Sequence, residues 1–255
     1  MCYDVKVLLE SQLKKARHEG DQATIDEIIE KLVPYTDLPI HHASGFNHPD
    51  VLIYTEEDPN FPTVATWGLI PHWVKSEEQK NKLWNSTLNA RGETIFEKPS
   101  FKNSAQQKRC VVYVDGFYEH HHYNGQVYPF YISLKSKKPM VLAGLYDEWQ
   151  KSVESPSIWK SFTIVTQKGN GIMRKIHNSP KLKEPRIPLI LDEEQEKTWL
   201  KPIKTEDDLA AIEQLIAAEN TMELSYHTVS KLRGKEYLGN VEQISSLHTY
   251  AELVF

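Results

Sequence analysis

Cysteine is almost missing from this 255-residue chain: Cys2 and Cys110 are the only two. That is too few for a disulfide framework, and neither has the CxxC partner of a zinc or redox site. Long apolar runs are also lacking, none approaching the roughly 18 residues of a membrane span, and Asp4 and Lys6 stand where a signal peptide would need its apolar segment. A cytoplasmic protein without membrane contact is expected. There is no basic excess either: 30 Lys and Arg face 35 Asp and Glu, a net charge of −5. This argues against non-specific duplex binding but leaves room for a local basic groove. Internal repeats, low-complexity segments and long linkers are absent, so one domain over residues 1–255 is expected. What is present, 40% apolar, 10% aromatic and 25% charged residues, is the composition of a chain that buries a core.

The pattern changes along the chain. Residues 3–8 read as a first strand, and Ile25, Ile28, Ile29 and Leu32 recur at helical spacing, predicting a helical insert over about 10–33 interrupted near Gly20. Pro34, Pro39 and His41-His42 read as irregular. Strands are predicted at Val51–Tyr54, Thr63–Leu69, Cys110–Val114, Tyr128–Leu134, Met140–Leu145, Phe162–Thr166 and Ile187–Leu191, which are short, β-branched and aromatic, with Asn124-Gly125 as a hairpin turn. Thr205, followed by three acidic residues and an apolar stripe, predicts a helix over about 205–219. Strands mixed with a few helices make an α+β fold.

Cys2 carries distinctive chemistry. Once Met1 is removed, its amine and thiol occupy adjacent carbons, a 1,2-aminothiol that condenses with an aldehyde to a Schiff base and then closes a five-membered thiazolidine. On position alone Cys2 also reads as an incidental residue of a frayed terminus. Polar and aromatic clusters lie elsewhere: Trp67-Gly68-Leu69-Ile70-Pro71-His72-Trp73, Asn89-Ala90-Arg91-Gly92-Glu93-Thr94, Arg109-Cys110 through Asp115-Gly116-Phe117-Tyr118-Glu119, and Lys175-Ile176-His177-Asn178 with the later Arg186-Ile187-Pro188. Cys110, in an apolar strand, reads as a small buried hydrophobe.

Taken in this order, these segments resemble the SRAP family, the SOS response-associated peptidase or abasic-site processing proteins, over residues 2 to about 191. The resemblance implies an α+β fold with a curved, barrel-like, mainly antiparallel sheet and flanking helices. It also implies covalent trapping of abasic sites in single-stranded DNA through a thiazolidine at Cys2, after loss of Met1 by self-processing or an aminopeptidase. The implied site is Cys2, Asn89, Glu119 and His177, with Arg91 as a phosphate ligand. In that reading His177 helps open the sugar and protonates the ring for reversal, Glu119 relays protons between amine and leaving hydroxyl, and Asn89, which cannot titrate, clamps by hydrogen bonds. Arg109, Arg174 and Arg186 are further DNA-binding expectations, and Trp67, Trp73 and Phe117 are candidates to stack on bases, although the Trp-Gly-Leu-Ile-Pro strand end reads equally as core packing.

The chain departs from the family pattern in four places: Tyr3-Asp4 replaces the usual Gly-Arg, the helical insert at about 10–33 is an elaboration, His120 replaces a Trp, and the segment from His177 to Arg186 is longer. The His120-His121-His122 run reads as an exposed strand end rather than a metal site, because successive strand residues alternate faces. No motif calls for a metal or cofactor, and a monomer is expected. The competing readings are an N-terminal-cysteine peptidase or amidohydrolase and a non-enzymatic single-strand binding module.

Overall fold

The computed structural model describes residues 2–150 and 158–255. Thirteen strands are described: β1 (Asp4–Val7), β2 (Ile40–Ser44), β3 (Asp50–Thr55), β4 (Thr63–Trp67), β5 (Asn89–Arg91), β6 (Arg109–Val114), β7 (Gly116–Tyr123), β8 (Gln126–Leu134), β9 (Met140–Gln150), β10 (Ile158–Lys168), β11 (Arg186–Pro188), β12 (Ile190–Leu191) and β13 (Leu224–Thr228). The helices are α1 (Leu9–Gln12), α2 (Lys14–Glu19), α3 (Gln22–Lys31), α4 (Glu77–Trp84), α5 (Lys102–Gln107), α6 (Met173–Ile176), α7 (Glu193–Leu200) and α8 (Glu206–Ala217).

Five strands close on themselves in the order β10-β4-β3-β6-β9 and back to β10. Every pairing in the ring is antiparallel except β4 with β10. Closure leaves the ring without a free edge. The alternation of β6 shows why its run of Cys, Val and Tyr is apolar throughout: Cys110, Val112 and Val114 enter the inner core, while Val111 and Tyr113 enter a second core that also contains Trp199, Leu215 and Ile216 of α7 and α8. The smaller sheet, β13-β8-β7-β1-β2, shares the inner core, contributing Val5, Val7, Phe117, Phe130 and Ile132 beside Trp67 and Phe162 of the barrel.

Local chemistry fixes the joints. Asn124 and Gly125 both take positive φ, 48° and 74°, in the two-residue turn between β7 and β8. Asp192 and Thr205 cap α7 and α8 through capping boxes. Helices α1 to α3 occupy the region expected to be helical and cover the outer face of β3 through Leu13, Ile28 and Leu52.

Strands β2, β5 and β13 were not expected. β2 lies in the region read as irregular, because its polar residue His42 is satisfied by partners far along the chain, Asp4 (3.1 Å) and Tyr237 (2.8 Å). β13 is an edge strand with two exposed residues, Ser225 and Tyr226, and carries little apolar signal.

Candidate active site

Three separate structures deliver the central residues to one place. β1 pairs with β7 in antiparallel register, Asp4 opposite Tyr118, so the residues just before β1 run alongside Glu119 and His120. β5 is a three-residue strand zipped in parallel onto β10, Asn89 opposite Ile164. His177 immediately follows α6 and is tied to Arg186, the first residue of β11.

Cys2 is 1% exposed. The Asn89 Nδ2 amide donates to its carbonyl at 2.7 Å, while Asn89 Oδ1 is buried and has no partner among the described residues. Burial pushes the Cys2 thiol well above its ordinary pKa, and the neighbouring Glu119 adds to the shift. Glu119 accepts from the backbone of His120 at 2.9 Å, and its Oε2 lies 3.4 Å from His177 Nδ1. Burial raises Glu119 to about 7 and lowers His177 to about 4, so both lean towards their neutral forms. His177 Nδ1 faces both the carbonyl of Arg186 at 3.0 Å and its N–H at 3.1 Å. One backbone residue therefore offers this nitrogen both an acceptor and a donor, and either neutral tautomer is accommodated.

Beside Asn89 a groove of about 270 Å³ is lined by Thr87, Arg91, Thr94, Lys98 and Phe101. Arg91 and Lys98 are exposed there, the arrangement phosphate binding wants. Arg174 is also exposed, in a separate hollow of about 330 Å³ with Lys168, Asn170 and the end of α8.

Several residues expected at a DNA surface are elsewhere. Arg109 is 0% exposed and gives its guanidinium to the carbonyls of Ala105, Gln106, Trp199 and Lys201. It ties α5 to α7 and cannot reach a phosphate. Arg186 is 1% exposed, with both terminal nitrogens on Glu93 at 2.7 and 2.8 Å and one also on the Thr166 carbonyl. It holds the His177 support in place instead of contacting DNA. Trp67 is buried in the inner core with its ring N–H on the Leu88 carbonyl, and Phe117 is buried there too, so neither can stack on a base. Trp73 remains half-exposed, packed against Ile70, Val74 and Trp149. The histidine run is not an exposed strand end: His121 is buried with Nδ1 on the Lys175 carbonyl, and burial lowers His120 to about 4. Among the described residues no His, Cys, Asp and Glu side chains gather as metal ligands, and no helix is long and apolar enough to cross a membrane. Cys110 is fully buried and its thiol is raised by burial, as suits a core residue.

A family model for SOS response associated peptidases matches residues 18–235. The chain belongs to that family. The matched span contains Asn89, Glu119 and His177, and Cys2 precedes it. An abasic site processing protein of Bacillus subtilis, YoqW, is 35% identical over 181 residues, 71% of this chain and 74% of that protein. Another relative, the abasic site processing protein HMCES of Xenopus tropicalis, is 33% identical over 64% of this chain and 51% of its own length. A crystal structure of a Bacteroides thetaiotaomicron protein superimposes with a TM-score of 0.79 at 30% identity, covering 97% of this chain and 100% of the other. The α+β fold with its closed barrel is thus a family property.

Residues that sequence reasoning passed over also belong to the site. Glu93, within the Asn-Ala-Arg-Gly-Glu-Thr segment, anchors Arg186 and through it His177. Tyr3 and Phe46 pack on each other at its rim, with ring centroids 5.0 Å apart. Their proximity follows from the pairing of β1 with β2, a strand the sequence did not announce.

Proposed function

We propose that the chain captures abasic sites in single-stranded DNA by forming a thiazolidine with Cys2, once Met1 has been removed. Met1 itself lies outside the described residues. The observation that carries this reading is the hold on residue 2: Asn89 Nδ2 fixes the Cys2 carbonyl, and the same amide keeps a buried Oδ1 with no partner among the described residues. A freed α-amine or a sugar hydroxyl would supply the missing donor.

The chemistry balances without an oxidant or cofactor. The opened deoxyribose presents an aldehyde; the Cys2 amine adds to its carbon, and the carbinolamine loses water to give an imine. The thiol sulfur then adds to the imine carbon while its proton passes to nitrogen, closing the ring, so one aldehyde and one aminothiol give one thiazolidine and one water. A buried thiol held in its protonated form suits this order, with the amine attacking first and sulfur closing second. It suits a peptidase less well, because that reaction starts from a thiolate. Glu119 near neutrality can both give and take the protons of carbinolamine formation and dehydration. His177, neutral above about pH 4, accepts a proton when the sugar opens and returns it when the adduct reverses. Arg91 and Lys98 are assigned to phosphates flanking the lesion. All four central groups come from one chain, so a monomer suffices. The relatives' shared name, abasic site processing protein, supports the substrate class.

The test is a denaturing gel of protein mixed with a single-stranded oligonucleotide carrying one abasic site. A heat-stable shifted band with the Met1-free protein, lost in Cys2→Ala and in protein retaining Met1, is expected. No band from protein whose intact mass proves Met1 removal would overturn the reading and favour amide hydrolysis at Cys2.

A further inference from the structure

We propose that Tyr3 and Phe46 form a stacking platform for the unpaired nucleobase adjacent to the abasic nucleotide, an inference that rests on the single-strand reading above. Tyr3 directly follows Cys2 and is half-buried, while Phe46 leaves 44% of its surface exposed. The rings meet at 5.0 Å with planes inclined by 36°.

The pair is rigidly held against the reaction centre. The Gly45 N–H donates to the Tyr3 carbonyl at 2.7 Å. Gly45 also lies against the Trp67 ring so closely that a Cβ there would stand 3.2 Å from three ring atoms. Trp67 in turn donates its ring N–H to the carbonyl of Leu88, the neighbour of Asn89. Phe46, next to Gly45, is therefore indexed to the amide that holds Cys2. The Tyr3 phenol also feels the charges of both Glu119 and Arg91, so it lies within electrostatic reach of each.

The ligand chemistry follows from what a lesion lacks. An abasic nucleotide brings no base of its own, so affinity close to it must come from phosphates and from the bases on either side. Aromatic platforms bind such bases without regard to sequence, because every base has a π-face. Trp67 and Phe117, the residues one would first assign to stacking, are sealed in the core. Phe46 has the exposed face they lack, and Arg91 and Lys98 supply cations for the adjoining backbone.

The experiment uses the full chain and a single-stranded oligonucleotide containing tetrahydrofuran, an abasic analogue with no aldehyde, flanked on one side or the other by fluorescent 2-aminopurine. Wild-type protein is expected to quench the probe at one flank on binding. Phe46→Ala and Phe46→Leu should lose the quench and bind roughly tenfold to a hundredfold more weakly, while Phe46→Trp should restore both. Phe46 is exposed, so these variants fold, and Leu separates stacking from mere apolar contact. Wild-type quench and affinity in Phe46→Ala would overturn the platform while leaving abasic-site capture standing. Failure of the wild-type protein to bind the oligonucleotide would sink both readings.

Discussion

At the scale of single residues, the site runs on groups that burial has pushed towards neutrality. Glu119 at about 7 changes protonation across the physiological range, whereas His177 at about 4 does not. Beside the titration of the nucleophilic Cys2 α-amine, ordinarily at about 7.7–8.0, the rate of adduct formation on abasic single strands should therefore show a Glu119 limb near pH 7 and none from His177 between pH 5 and 8. Single-turnover rates for Glu119→Gln should lack that limb and fall by roughly 10²- to 10⁴-fold. The same burial has a sign for stability. A carboxyl raised above its unfolded value of about 4.3 makes the folded state bind the extra proton, so stability falls as pH climbs from there towards 7. Urea midpoints should show Glu119→Gln matching wild type near pH 4 and exceeding it at pH 8. Gly116 makes a different kind of demand, since a Cβ there would sit 2.4 Å from the Ile132 carbonyl. Gly116→Ala should cost about 1–3 kcal/mol, read from the same titration.

Elements are joined here by arginines whose purpose only the fold reveals. Arg109→Met should destabilise by about 1–3 kcal/mol for each buried carbonyl left without its donor at the ends of α5 and α7. Its affinity for single-stranded DNA, measured on the folded fraction, should equal that of wild type. In the sequence Arg91 and Arg109 look equally available to phosphate. One lies on the short strand β5 beside a groove and the other points between two helices, and that distinction depends on pairings β5 makes with β10, more than 70 residues away. Strands such as β6 and β9 were legible because both faces are buried and their composition announces it. β2 was not, since His42 is stabilised by Asp4 and Tyr237, partners 38 and 195 positions distant. The quartet Cys2, Asn89, Glu119 and His177 was named through family resemblance; chain spacing by itself contains nothing that brings residue 2 to residue 177. Trp67 stayed open between base stacking and core packing for a related reason: its run Trp-Gly-Leu-Ile-Pro has the same composition whether a ring faces solvent or a barrel interior.

For the molecule as a whole, a net charge of −5 and a small cationic groove together forecast the character of DNA binding. With few phosphate contacts, the plot of log affinity against log salt should be shallow, each neutralised phosphate adding about −0.7 for a single strand. Arg91→Ala should weaken binding and flatten the slope by roughly that amount. The barrel determines what such a surface can do, because β10 changes partners part-way along. It runs beside β4 at Phe162 and beside β5 from Ile164, while on its other flank β9 gives way to β11 at Thr166. Asn89 is thereby measured from one edge of β10, and His177, through the main chain of Arg186, from the other. A single strand thus serves as the ruler for both halves of the site. Because β10 sets both distances, a change in the length of the loop between His177 and Arg186 should leave the spacing of Asn89 and His177 as it is.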